Sequence, residues 1–240
     1  MLVEVCANSL ESAMNAEKAG ADRIELCSEL AVGGITPSYG LLKSVKENIG
    51  IPVHVLIRPR SGDFSYTDGE FNSMKQNIAL CVEMGFDGIV TGVLHTDFRL
   101  DVERTKELVE LSEGLKFTFH RAFDWVLNPL QTMRQLEGLG VDYMLSSGQE
   151  KSALEGIALL SRLNDEAASC AVMPGGGVNA GNVHKFKDSG FKVVHLSGTC
   201  FEPKLKVVPK VSMNAASFLQ DQGVFVSNVE AIRKVLKEVK

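Results

Sequence analysis

The chain has no CxxC pair and no dense disulfide spacing among its five cysteines, at 6, 27, 81, 170 and 200. Reduced thiols are therefore the expectation, and any metal pairing has to be supplied by the fold. It has no apolar run approaching the ~20 residues that cross a bilayer, and no basic start leading into an apolar signal segment, so it is expected to be soluble and cytoplasmic. Positive charge is not in excess. With a net charge of -5, a pI near 5.6 and no basic run interleaved with aromatics, neither a nucleic-acid groove nor a membrane surface is expected as a partner. There is no HExxH and no carboxylate-histidine triad at ligand spacing, which makes catalytic zinc or magnesium the poorer expectation. No linker, composition shift or low-complexity tract divides residues 1–240, so a single domain is expected.

What is present is a rhythm. A β-rich apolar run followed by a helical pattern recurs about every 30 residues, a βα length. Strands are predicted at 2–7, 21–27, 52–59, 86–93, 116–123, 142–148, 170–177 and 193–198. The first helix is capped by Ser9 and closes at Gly20; the others are predicted at 38–49, 68–84, 101–113, 128–139, 151–165, 179–189 and 227–239. Eight alternating units in this length fit an α/β, single-domain (β/α)8 TIM barrel better than a doubly wound sheet. Residues 199–226, with Pro203, Pro209 and several lysines, read as an irregular insertion after strand 8, long enough to cover the barrel mouth.

The first two strands carry the same pattern, Val3-Glu4-Val5-Cys6 and Ile24-Glu25-Leu26-Cys27. Side chains alternate along a strand, so each places a carboxylate and a thiol on one face and aliphatics on the other. That is unusual for a parallel strand, which normally reads apolar on both faces. In the same phase stand His54 and Arg58 on strand 3, Thr118 and His120 on strand 5, and His195 and Ser197 on strand 8. Barrel enzymes collect their chemistry at these strand ends.

The roles divide. Glu4 or Glu25 is either a catalytic carboxylate or the buried partner of Arg58. His54 reads as a hydrogen-bonded core histidine. His120, in Thr118-Phe119-His120-Arg121-Ala122-Phe123-Asp124, is the better acid/base candidate, because an unperturbed imidazole titrates near neutrality; His195 fits either role. Asp124 reads as a cap or a partner of Arg121. Gly175, Gly176 and Gly177, running into a helix after strand 7, together with Ser197, are candidates to hold a phosphate, or else form a tight bend. Cys6 and Cys27, at matching places on neighbouring strands, are candidate soft ligands for Cu(I), or two core thiols whose ionisation the glutamates oppose.

Glu4-Val5-Cys6, Gly20-Ala21-Asp22-Arg23-Ile24-Glu25-Leu26-Cys27, Gly33-Gly34-Ile35-Thr36-Pro37-Ser38, Ile57-Arg58-Pro59-Arg60 with Asp63-Phe64, and the His120 stretch quoted above resemble the CutC copper-homeostasis family. The likeness continues through Tyr66-Thr67-Asp68-Gly69-Glu70-Phe71 and Gly85-Phe86-Asp87-Gly88-Ile89-Val90-Thr91-Gly92-Val93-Leu94, covers roughly residues 2–198, and is weaker over 199–226. The resemblance implies a cytoplasmic barrel, commonly a homo-oligomer, that handles copper and binds Cu(I), with the thiol ligands falling on Cys6 and Cys27. The ring of ionisable groups supports a different class: an isomerase, epimerase or lyase acting on a small anionic or phosphorylated metabolite. There Arg58 would anchor the anion while Glu25 and His120 exchange protons.

Overall fold

The computed structural model describes residues 1–214 and 221–240. Eight parallel strands, β1 (Leu2–Ala7), β2 (Arg23–Leu26), β3 (Val53–Leu56), β4 (Gly88–Thr91), β5 (Lys116–Phe119), β6 (Tyr143–Ser146), β7 (Ala171–Pro174) and β8 (Val193–Leu196), lie in the order β7-β6-β5-β4-β3-β2-β1-β8. A single parallel bridge, Gly175 to His195, joins the two ends and nearly closes the TIM barrel. Between the strands run α1 (Leu10–Ala19), α2 (Tyr39–Asn48), α3 (Asp68–Glu83), α4 (Val102–Leu111), α5 (Pro129–Gly138), α6 (Ile157–Glu166) and α7 (Val183–Asp188), and α8 (Val229–Val239) ends the chain.

The aliphatic face of each strand packs outward on these helices: Val3, Val5, Ile24, Leu26, Val53, Val55 and Ile89 all belong to the continuous core between sheet and helices. On α8, Ile232, Val235, Leu236 and Val239 are buried at the i, i+3, i+4, i+7 spacing of a helix face. Each such side chain contributes roughly 1.5–3 kcal/mol when fully buried. The opposite strand face fills the barrel. Near its floor it is apolar, with Leu145, Met173 and Val193 against Leu2, Tyr143 and Ala171; above that it is polar.

Several boundaries differ from the sequence reading. β2 through β8 stop short of their expected ends because the rim residues bond to loops: the Arg58 N–H donates to Thr36 Oγ1. α6 begins at Ile157 and not at 151, since the Gly156 and Ser147–Gly148 backbones press together; a Cβ at Gly156 would lie 2.0 Å from the Ser147 carbonyl. α7 begins at Val183 and not at 179, because Asn179 and Asn182 form side-chain turns on Gly181 N and Asn179 N instead of continuing a helix. The insertion is not irregular at its two ends. β9 (Thr199–Pro203) and β10 (Gly223–Ser227) pair antiparallel, and Phe201 and Phe225 meet edge to face. Ser227 N donates to Ser12 Oγ and Asn15 Nδ2 donates to the Ser227 carbonyl, so this pair docks beside α1. Residues 215–220 of the insertion lie outside the described residues.

Candidate functional site

The polar column inside the barrel starts at Glu4. Its Oε2 accepts from Arg23 Nε at 2.5 Å and its Oε1 meets His195 Nδ1 at 2.8 Å. His195 Nε2 then reaches Glu25 Oε2 at 3.3 Å. Register explains the grouping: Glu4 pairs with Arg23 on one side and with His195 on the other, and Glu25 is one inward step above Arg23. Neither glutamate pairs with Arg58, the partner considered from sequence. Arg23 fills that place for Glu4, its guanidinium lying 4.2 Å from the centroid of the Tyr143 ring.

Burial alone would raise the Glu4 carboxyl, but Arg23 and His195 overcome it and hold the group down at about 2. Glu25 is raised, by burial first and by the like charge of Glu4, against the pull of His195. His195 is also raised; burial opposes its charge, and the two carboxylates outweigh burial. An imidazolium set between an ionised Glu4 and a readily protonated Glu25 is an arrangement in which one proton moves over a short path.

Above this column the two cysteine sulfurs lie 3.5 Å apart. Cys6 Sγ, a Glu25 oxygen and a His195 nitrogen all fall within 4.8 Å of one another. The hydrogen bond with Cys27, burial and the Glu25 carboxylate keep the Cys6 thiol protonated well above its ordinary range. The pair is poorly placed for a disulfide. Cys6 is in register with Glu25, so Cys27 is offset by two residues on the adjacent strand. A rise of about 6.6 Å across a strand spacing of about 4.8 Å separates the Cα atoms by roughly 8 Å, more than a disulfide spans. Folded protein incubated with oxidised glutathione should therefore retain two alkylatable thiols at Cys6 and Cys27 by peptide mass spectrometry. A bridged peptide recovered in quantity would contradict the rigidity of this strand pair.

The rim is built by loops. Arg58 donates from Nη1 to the carbonyls of Val32 and Gly34 and from Nη2 to that of Gly62, tying two loops together. One of them, 59–66, is held at its far end by the α3 capping box of Thr67 and Glu70, and Arg60 also grips Glu70 at 2.5 Å. That anchoring sets Phe64 over the rim, its ring centroid 5.1 Å from the Arg58 guanidinium and 4.8 Å from the His120 ring. His120 Nδ1 accepts from Ala122 N, and burial, then the Arg58 charge, pushes the imidazole down to about 3. It therefore stays neutral near pH 7, contrary to the titration near neutrality that suggested it as a proton carrier. His54 lies in the column near Glu4; burial, aided by Arg23, lowers it to about 4. It is a core histidine, but its Nδ1 has no hydrogen-bond partner, unlike the bonded histidine expected.

Across the mouth, Asp124 bonds Arg121 at 2.7 Å and accepts from Ser146 Oγ and Ser147 N, so it ties β5 to β6 as well as pairing with Arg121. Gly176, at φ 108°, lies close under Arg121; a Cβ there would come 3.4 Å from Nη1. Gly175 bridges to His195, and Gly177 offers its carbonyl to Asn179 and Asn182. Because α7 starts six residues after Gly177, no helix N-terminus follows this turn directly, which removes half of the phosphate rationale.

These groups face one cavity of about 670 Å³, lined among others by Cys6, Glu25, Arg58, Phe64, His120 and His195. Gly176, Gly177 and Ser197 also reach it; Glu4 and Cys27 lie beneath. Sequence reasoning missed Arg23 and Phe64 as members of the site. Arg23 was legible, since 23, 25 and 27 share the inward face; Phe64 is positioned by a loop that no periodicity describes. No described helix is long and apolar enough to cross a membrane.

The CutC family model matches residues 1–200. A CutC family protein of Salmonella paratyphi A is 45% identical over 202 residues, 84% of this chain and 82% of its own length, and that of Salmonella typhimurium matches equally. A solved CutC structure from Streptococcus agalactiae, provisionally described as a copper homeostasis protein, superposes with a TM-score of 0.78 at 35% identity, covering 82% of this chain and 98% of that one. The 3-hexulose-6-phosphate synthase of Salmonella typhimurium shares the fold alone, at 15% identity and a TM-score of 0.58, over 100% of this chain and 98% of its own. A barrel whose first two strands carry the paired Glu-x-Cys face, matched over this length, belongs to the CutC family, which is linked by name to copper homeostasis.

Proposed function

We propose that the protein binds Cu(I) in the cytoplasm, with Cys6 and Cys27 as thiolate ligands and His195 and Glu25 at hand to complete the shell. The observation that carries this is the 3.5 Å separation of the two sulfurs beside an imidazole and a carboxylate. The donor set fits: thiolate and imidazole are the soft ligands Cu(I) prefers. A metal–thiolate bond is about 2.3 Å, so two sulfurs in line would stand about 4.6 Å apart. These are closer, which calls for a third donor, and His195 is the nearest nitrogen base. Because Cys6 is held protonated, loading releases protons, and affinity rises with pH.

Competition against a chromophoric Cu(I) chelator tests it. Cys6→Ser and Cys27→Ser should each lower affinity by more than about 100-fold, beyond the 10–100-fold of an outer-shell change, and His195→Ala by about 10–100-fold. Unchanged affinity in the Cys6→Ser/Cys27→Ser protein would eliminate the copper site.

A second function, acid/base catalysis of isomerase, epimerase or lyase type on a small anionic metabolite, is supported by the Glu4–His195–Glu25 chain ending in the cavity. Glu4 fixes Nδ1, leaving Nε2 and Glu25 to exchange the proton with a substrate. Turnover by metal-free protein in a metabolite screen, falling at least about 100-fold in Glu25→Gln, is the result expected; no turnover of any compound would remove it.

A further inference from the structure

Arg58 poses a problem that neither function above resolves. Its side chain is buried at the rim, with 5% of the residue exposed, yet it has no carboxylate partner among the described residues. The ion pairs around the cavity belong to Arg23, Arg60, Arg121 and His195. Three backbone carbonyls occupy its Nη atoms, and dipoles of this kind do not neutralise a charge. A buried cation without a counter-ion is costly, and proteins normally pair it.

Its Nε–H is also buried and unbonded. So is Nε2 of His120, on β5's extension across the barrel rim. The state of that nitrogen follows from its ring partner: Nδ1 accepts the Ala122 N–H, so the single proton of a neutral imidazole sits on Nε2. Both orphaned atoms are therefore donors. They pack on the same Phe64 ring, and the intervening strand contributes only Gly92, where a Cβ would lie 2.7 Å from His120 Nδ1. Glycine at 92 lets groups from the β3 and β5 ends share one place, and both residues line the cavity. The neutrality of His120 agrees with a donor that carries no charge of its own.

We propose that this cavity holds a small organic monocarboxylate, its carboxylate accepting from Arg58 Nε and His120 Nε2 and supplying the negative charge that Arg58 lacks. One unpaired cation calls for one negative charge, which favours a carboxylate over a phosphate dianion. The apolar cover of Phe64 favours it further, since a carboxylate with a short carbon chain gives that ring something to pack on. Glu25 and Glu4 are not substitutes, being committed to His195 and Arg23.

The test uses metal-free full-length protein labelled with 15N-histidine, titrated separately with pyruvate, acetate and inorganic phosphate. Pyruvate or acetate should shift the His120 Nε2–H signal in a saturable manner. Arg58→Lys keeps the charge but removes Nε, and should weaken binding by about 10- to 100-fold; His120→Phe should do the same. Arg58→Lys also gives up carbonyl bonds and can fail to fold, so the wild-type His120 signal is the deciding measurement. No saturable shift with either carboxylate overturns the proposal, as does a shift produced by phosphate alone or one confined to His195. Since no copper is present, the outcome is independent of the Cu(I) competition.

Discussion

Glu4→Gln should destabilise the protein by about 3–5 kcal/mol, the cost of removing one member of a buried ion pair and leaving the other charge behind. Glutamine keeps the shape and an accepting oxygen, so what is lost is the charge facing Arg23 and His195. Arg23 is buried and within reach only of Tyr143 and of Met173 Sδ besides Glu4, so water cannot take over. For a chain of this size about 2–4 °C of Tm accompanies each kcal/mol, giving a fall of about 10 °C. Glu4→Leu combined with Arg23→Met should recover most of it, because replacing both charges removes the desolvation cost along with the attraction. Urea unfolding of the four proteins gives the cycle. A Glu4→Gln protein within about 1 kcal/mol of wild type would mean that the column is not a coupled network. The same substitution frees the His195 ring from its Nδ1 anchor, so Cu(I) affinity should fall by about 10–100-fold even though Glu4 is not a ligand.

The inward column was legible because a strand has a period of two. Glu4, Cys6, Glu25, Cys27, His54, Arg58, His120 and His195 stand in phase in the sequence, and the barrel brings their strand ends to one interior. Partner choice was not legible in the same way. Which carboxylate faces which cation depends on register between strands: β1 against β2 sets Glu4 beside Arg23, and β1 against β8 sets it beside His195. Arg58, two inward steps above His54, is carried past the column to the rim, where only carbonyls meet it. Charge state was equally out of reach. Two histidines with the same intrinsic pKa diverge, His195 raised between carboxylates and His120 lowered by burial and Arg58, so the residue suited to proton transfer is the one on β8. The short α7 was lost to asparagine chemistry, since Asn179-Ala180-Gly181-Asn182 reads as a helix start yet closes its own side-chain turns.

Acid should unfold this protein earlier than its carboxylates alone require. His54 and His120 are held neutral, at about 4 and about 3, against an ordinary value of 6.5. For a histidine lowered in the folded state, the unfolded chain takes up the proton first. Its contribution is intact above the unfolded value and is lost as pH falls from there towards the folded one. With about 1.36 kcal/mol per unit, the two together remove about 4–5 kcal/mol between neutrality and about pH 4.5. Glu4 adds nothing in that window: lowered from 4.5 to about 2, its contribution is lost only at still lower pH. His195 has the opposite sign, since a raised imidazole contributes fully below 6.5 and loses its contribution as pH rises through the folded value. Urea midpoints at pH 7 and at about pH 4.5 should therefore differ steeply in the wild type, while His54→Leu, which sacrifices no bond at Nδ1, should recover about 2–3 kcal/mol of that difference. If the variant shows the wild-type slope, His54 is already protonated in the folded protein, and the column around Glu4 carries one more positive charge than its geometry supports.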